Sequence, residues 1–267
     1  MYINNNNIIE YITNIYENKN YIKNNNTPLT CVSCYYTVKN KHDNKYLEWF
    51  KNTLSINCPY VFFTSKSNID LIKSFRNNLP TYFIECEIED FYTYKFKNKM
   101  IIDNHHCPSI ELNLIWNEKI FMIQKASIIN PFNSNWFHWI DAGICNYRFI
   151  SPPNISFPNI NTLQSLPENK FIYSPSIIYN ESLVTKTNYY HHISGSSYIL
   201  HKKIINNFIN IYKIYLENLL NYNNIWTDQV ILTHIYKDYQ DLFFKLSYND
   251  ENAYGQNILI LYNDISS

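Results

Sequence analysis

The chain reads as an α/β fold, a mainly parallel central sheet flanked by helices in a single domain, and three observations carry that reading. From residue 29 onwards, short β-branched or aromatic runs alternate with segments of helical spacing, the order that crossover units of a parallel sheet produce. One run, Trp136-Phe137-His138-Trp139-Ile140, is large and mostly apolar throughout, as expected of a strand buried on both faces in the middle of such a sheet. That run ends in a lone carboxylate, Asp141, followed by Ala142 and Gly143. Open α/β sheets collect their ligands just there, beyond the carboxyl ends of the strands.

Taken in order, residues 1–28 hold a weak helical pattern (Ile8, Ile9, Ile12, Ile15, Tyr16) and an Asn/Lys stretch, an N-terminal helix and linker ahead of a domain over 29–267. Leu29 to Val38 is rich in β-branched and aromatic residues and predicts the first strand. Asp43 to Ile56 has helical spacing, Tyr60 to Ser65 predicts a second strand, Ile69 to Asn78 a helix and Thr81 to Ile88 a third strand. Residues 89–110 are polar and irregular. The pair His105-His106 with Cys107 falls in this stretch and reads as a surface loop, because adjacent residues rarely ligate one ion together. Glu111 to Ile129 predicts a long helix stopped by Pro131, and the apolar strand follows. Residues 146–170 are rich in Pro and Asn and predict a long loop over the sheet; Phe171 to Ser174 predicts a short strand. Tyr189 to Ser197 reads as a small, polar turn opening a helix from about Ile199 to Leu220. Trp226-Thr227-Asp228-Gln229 opens another helix through His234, and Leu242 to Leu246 and Ile258 to Tyr262 predict the last strands.

Composition excludes several classes. The formal net charge of the 267 residues is zero and there are two arginines, Arg76 and Arg148, which argues against a nucleic-acid surface of the usual basic kind. No apolar run reaches the roughly 18 residues of a membrane span, and the N-terminus lacks the layout of a signal peptide. A soluble, cytoplasmic protein is the expectation. The six cysteines are scattered, fitting a reduced compartment. Cys31 and Cys34, three apart on a strand, point to opposite faces and are not a metal pair. A phosphate-binding Gly-rich loop and a GxSxG element are both missing from the sequence.

Spacing then ties two residues together. A strand climbing from Trp136 to Asp141 covers about 17 Å, which takes about 11 residues of the preceding helix. Counting back from Ile129 places Lys119 level with Asp141, with Trp116 one turn away on the same face. An aromatic, a cation and a carboxylate at a sheet's carboxyl edge suit a nucleoside diphosphate. Ser194 and Gly195, before a helix, offer free N–H groups to anions or sugar hydroxyls, or serve as an ordinary N-cap. Asp228 and Gln229 pair a carboxylate with an amide that can grip hydroxyls, or complement their helix dipole.

The ordered set Trp116-x-x-Lys119, Trp139-Ile140-Asp141-Ala142-Gly143, Ser194-Gly195-Ser196 with Tyr198, and Trp226-Thr227-Asp228-Gln229 resembles the HtrL/YibB-like proteins. These in turn resemble glycosyltransferases of the GT-A fold, especially relatives of plant xyloglucan xylosyltransferases. The resemblance spans roughly residues 29–250 and implies a GT-A-like (Rossmann-like) sheet. It implies a glycosyltransferase that moves a sugar from a nucleotide-diphosphate donor, a UDP-sugar favoured, to a hydroxyl of a glycan, lipid or protein, with Mn²⁺ or Mg²⁺. In GT-A enzymes an Asp-x-Asp signature holds that cation. Asp141 matches its first Asp, while Gly143 stands where the second would be, so His191 or His192 is the candidate to complete the metal shell, or Lys119 to replace the metal. On the same resemblance Tyr36 and Thr37 border the nucleoside, Trp116, Lys119, Asp141 and Gly143 hold the donor, and Ser194, Gly195 and Gln229 face sugar and acceptor. Asp228 and Asp141 are the catalytic candidates, with Asp228 nearest the reacting centre. The Asn/Ile/Tyr-rich composition is similar to that of giant DNA virus proteins, implying a viral source and the host cytoplasm. Two further hypotheses stand beside this one. The missing second Asp suits a non-catalytic nucleotide-sugar- or glycan-binding relative, and Asp141 with Asp228 would be the carboxylate pair of a glycosidase.

Overall fold

A computed structural model of the chain describes residues 27–42, 45–222 and 227–246. The expected N-terminal helix, the strand at Ile258–Tyr262, and Trp226 lie outside them. A seven-stranded sheet runs through the described part. Its strands are β1 (Leu29–Tyr35), β2 (Tyr60–Thr64), β3 (Thr81–Glu85), β4 (Trp136–Ile140), β5 (Phe171–Pro175), β6 (Ile193–His201) and β7 (Phe243–Lys245), in the spatial order β3-β2-β1-β4-β6-β5-β7. The β1–β2, β2–β3, β1–β4 and β5–β7 pairs are parallel; β6 runs antiparallel to both neighbours. The mainly parallel sheet flanked by helices is therefore present.

Helices cover both faces. On one side lie α3 (Ile110–Ile129), α5 (Lys202–Leu220) and α6 (Asp228–Asp238), packing Ile123, Phe208 and Ile231 against Phe137, Trp139 and Tyr198. On the other, α1 (Lys45–Thr53), α2 (Ile69–Arg76) and the short α4 (Ile160–Ser165) pack Phe50, Ile72 and Leu163 against Trp136, Ile140 and Phe62. The split follows the strand period of two: alternate residues of β4 enter opposite cores, and all five are buried. Cys31 and Cys34 part in the same way, one into each core.

α3 starts at Ser109, whose hydroxyl caps Leu112 N, and ends on Asn130 in the left-handed conformation just before Pro131. Arg76, at the end of α2, is fully buried and donates to the carbonyls of Leu54, Ile56, Cys58 and Pro80. It ties loops together beneath the sheet and takes no part in any anion site.

One element differs from the expectation. Tyr198–His201 belongs to a strand, and the helix begins only at Lys202. The run Ile193-Ser-Gly-Ser-Ser has little strand propensity, but it begins a strand wedged between β4 and β5, which pairs β4 through residues 197–201 and β5 at Ile193, Tyr198 and Ile199. Ser197 meets His138 on β4 through a 2.8 Å hydrogen bond. Ser194 and Gly195 consequently lie in a strand, not at a helix N-terminus, and no fan of free helix N–H groups forms there. The Pro/Asn-rich segment 146–170 is also less open than expected, since it contains α4.

The topology fixes where a ligand can enter. The chain moves outward from β1 to β2 and β3, then returns to β4 on the other side of β1. The carboxyl ends of β1 and β4 therefore part at a switch point, where open α/β sheets hold their ligands.

Candidate functional site

A cavity of about 540 Å³ opens at that switch point. Its floor includes Asp141 after β4 and Tyr35 and Tyr36 at the end of β1. Its walls include Trp116 and Lys119 of α3, Ser194 and Gly195 of β6, and Asp228 and Gln229 of α6.

The floor is built around one ammonium. Lys119 Nζ lies 3.0 Å from Asp141 Oδ1, donates to the carbonyl oxygen of Gly195 at 2.9 Å and stands 3.6 Å from Asp228 Oδ2. The level match between helix and strand counted from sequence is thus a direct ion pair. Asp141 is further fixed by the Trp139 indole N–H at 2.8 Å on the same Oδ1, while its backbone N–H donates to Ser196 O at 2.9 Å. Asp228 sits in the first turn of α6 and receives the Thr227 hydroxyl at 3.1 Å; its Oδ2 is buried without a hydrogen-bond partner among the described residues.

Gly195 is required at its position by this packing. A Cβ there would stand 2.6 Å from both carboxylate oxygens of Asp228. Gly143 is constrained in a similar way, since a Cβ would meet the Tyr46 ring at 2.6 Å. Any carboxylate at 143 would have to displace that ring, so the absent second Asp of the Asp-x-Asp pattern is matched by absent space.

Electrostatics follows from burial. Burial pulls Lys119 down, but Asp141 and Asp228 more than offset it and hold the ammonium above its ordinary range. Burial pushes the Asp228 carboxyl up to about 6; Lys119 opposes the rise and Asp141 adds to it. The side chains of Lys119 and Asp228 are 5% and 3% exposed, against 29% for Asp141. Asp141 is therefore the more exposed of the two carboxylates in the cavity lining. Asp228, expected nearest the reacting centre, also lines the cavity, packed under Gly195 and against Lys119. Lys119 is committed to three protein oxygens and has little left to offer a phosphate.

The other sequence candidates divide. Tyr36 lines the cavity and its hydroxyl donates to Cys86 O at 3.1 Å. Thr37 is exposed outside the lining and donates to Asn68 Oδ1 at 3.1 Å, because the chain turns away there. Gln229 Nε2 donates to Ile193 O at 3.3 Å and so braces β6 against α6. Ser194 pairs with the Ser196 hydroxyl at 2.8 Å. His191 lines the cavity, with Nδ1 3.0 Å from Tyr189 O. His192 does not reach it: its ring nitrogens lie 2.6 Å from Ile177 O and 3.0 Å from the Tyr173 hydroxyl. As a metal ligand His192 is corrected by that geometry.

Among the cavity residues that the sequence reading did not single out are Arg148, Lys41 and Tyr46. The guanidinium of Arg148 packs 4.0 Å over the Trp49 ring, and its Nε donates to Gly143 O at 3.4 Å. The only signal available was that Arg148 is one of two arginines and falls shortly after Asp141. With Lys119, the lining carries three fixed cations against the carboxylates of Asp141 and Asp228.

The donor set does not fit a protein-held Mn²⁺ or Mg²⁺. Among the described residues no three His, Cys, Asp or Glu side chains are grouped to hold a metal. Asp141 Oδ1 already accepts from an indole and an ammonium. Hard divalent cations take six or more oxygens, and a second cation beside Lys119 would be repelled. Among the described residues no helix is long and apolar enough to cross a membrane.

No protein-family model matches the chain, and no curated protein matches it. Among solved structures it is similar to the 4-diphosphocytidyl-2C-methyl-D-erythritol synthase of Anaerococcus prevotii DSM 20548, at 11% identity and a TM-score of 0.33, over 88% of this chain and 96% of that one. An alignment at that level carries no inference about activity.

Proposed function

We propose that this chain is a glycosyltransferase that moves a sugar from a nucleoside diphosphate donor to an acceptor hydroxyl. One observation supports it most: the Lys119–Asp141 pair stands at 3.0 Å on the floor of a cavity at the β1/β4 switch point. The cavity's size and its mix of aromatic rings with a few convergent polar groups suit a nucleotide sugar. Tyr35, Tyr36 and Trp116 offer surfaces to the nucleoside. Asp141, the more exposed carboxylate, meets the sugar and stabilises positive charge as it develops at the anomeric carbon. In the transfer the acceptor oxygen bonds to the anomeric carbon while the bond to the diphosphate oxygen breaks. The hydroxyl proton goes to a carboxylate or to the departing phosphate. Asp228 is a positioning residue that holds Lys119, and through it Asp141, in place.

A thermal-shift panel of UDP-, GDP-, CDP- and dTDP-sugars, followed by donor hydrolysis and transfer assays, tests this. At least one donor is expected to raise the melting temperature by several degrees, since a ligand at about a hundred times its Kd stabilises by roughly 2.7 kcal/mol. Asp141→Asn should keep the fold and lose turnover by about a hundredfold or more. A chain that answers to no nucleotide sugar, or an Asp141→Asn variant that turns over like wild type, refutes the reading. The closed ion pair at Asp141 and the glycine at 143 favour one second reading, a non-catalytic nucleotide-sugar-binding relative. Donor binding without hydrolysis or transfer, acceptors supplied, would select it.

A further inference from the structure

Resting on the glycosyl-transfer reading, we infer that the donor's diphosphate is held without a divalent cation, Arg148 taking the phosphate charge while Lys119 serves as a fixed internal cation. Three independent observations point this way. The ring of Tyr46 occupies the space that a carboxylate at position 143 would need, so the second half of a metal-binding pair has no room. The Lys119 ammonium lies 3.0 Å from the oxygen of Asp141 that a metal would share, and its bonds to Gly195 and Asp141 hold it there. Arg148 is placed differently. The face of its guanidinium stacks on the Trp49 ring and its Nε leans on Gly143 O, two residues past Asp141, while its terminal nitrogens make no hydrogen bond to the described residues. A guanidinium anchored at one edge and open at the other presents a planar fork that matches two phosphate oxygens at once. Lys41, also in the lining, adds a point charge at the cavity mouth.

The chemistry follows from charge. As the glycosidic bond breaks, negative charge grows on the diphosphate, and a pre-placed cation lowers the energy of that state. Here the charge is taken by a side chain that cannot lose its proton at any ordinary pH, so affinity should be indifferent to chelators.

Isothermal titration with UDP, GDP and CDP, each in EDTA and again with Mn²⁺, tests the inference on binding alone. For whichever diphosphate binds, the Kd in EDTA should lie within about threefold of that in Mn²⁺. Arg148→Gln should weaken binding by about tenfold or more, as loss of a charge-assisted pair predicts, and Arg148→Lys by less. Melting curves of both variants establish that they fold, and Arg148→Lys keeps the site charged should the glutamine variant fail. Binding that requires Mn²⁺, or arginine variants that bind like wild type, overturns the inference and leaves the glycosyltransferase reading standing. No binding of any diphosphate under either condition overturns both.

Discussion

Lys119→Met keeps an unbranched stem of similar length and removes the ammonium around which the cavity floor is built. At an effective dielectric constant of about 20, unit charges 3.0 and 3.6 Å apart attract by about 5 kcal/mol each. Against this stands the cost of burying the ammonium, several kcal/mol. Breaking a buried pair from one side typically leaves a net loss of about 3–5 kcal/mol, here because Asp141 and Asp228 would face each other uncompensated. In a domain of this size that corresponds to about 10 °C of melting temperature. The loss has a pH signature. The Asp228 carboxyl is raised in the folded state to about 6, so its charged form is penalised there. That penalty is absent below the unfolded value near 4 and fully present above the folded one, and without Lys119 the folded value moves higher still. The variant should therefore lose about 10 °C at pH 8 and roughly half of that at pH 5, where Asp228 is protonated and only the Asp141 pair is missing. Thermal melts by circular dichroism at the two pH values read this directly. A variant within about 2 °C of wild type at pH 8, or an equal loss at both values, would refute the argument that Lys119 balances two buried charges.

Gly195→Ala places a methyl carbon 2.6 Å from both Asp228 oxygens; a destabilisation of about 1–3 kcal/mol is expected from denaturant melts, and a neutral result would mean that α6 yields freely. His138 is buried, its imidazole pulled by burial from the usual range down to about 3. A folded value below the unfolded one means that stability is present above about 6.5 and drains away as pH falls towards 3. His138→Gln should flatten the acid limb of the melting curve between pH 6.5 and 4; parallel profiles for variant and wild type would count against the assignment.

Much of the architecture was legible because burial on two faces leaves a clear mark. The runs at 29–38, 60–65 and 81–88 became β1, β2 and β3, and Trp136–Ile140 became β4 with all residues buried. The Lys119–Asp141 pair could be counted because helix rise and strand rise are fixed lengths. β6 was hidden for the opposite reason. Its first half is serine and glycine, and what makes it a strand is the pair of edges waiting on either side, which no local pattern records. The depth of Asp228 depended on the same strand, because Gly195 is what covers it. Arg148 was out of reach for a further reason: it lies in an aperiodic stretch, and its place was set by Trp49, about a hundred residues earlier.

The reversed direction of β6 has a consequence for how this crevice tolerates change. A parallel strand would have delivered a variable loop to this spot, whereas the antiparallel one delivers its own opening residues, which lead straight into the five residues, 197–201, paired with β4. Main chain, not side chain, then forms that wall, and surface drift over generations has little to act upon. What the wall does not survive is slippage: a shift of a single rung would bring Ser194 or Ser196 over Asp228, where there is no room for either. Sequence alignment of this region among relatives should accordingly show substitutions but neither insertions nor deletions between residues 193 and 201.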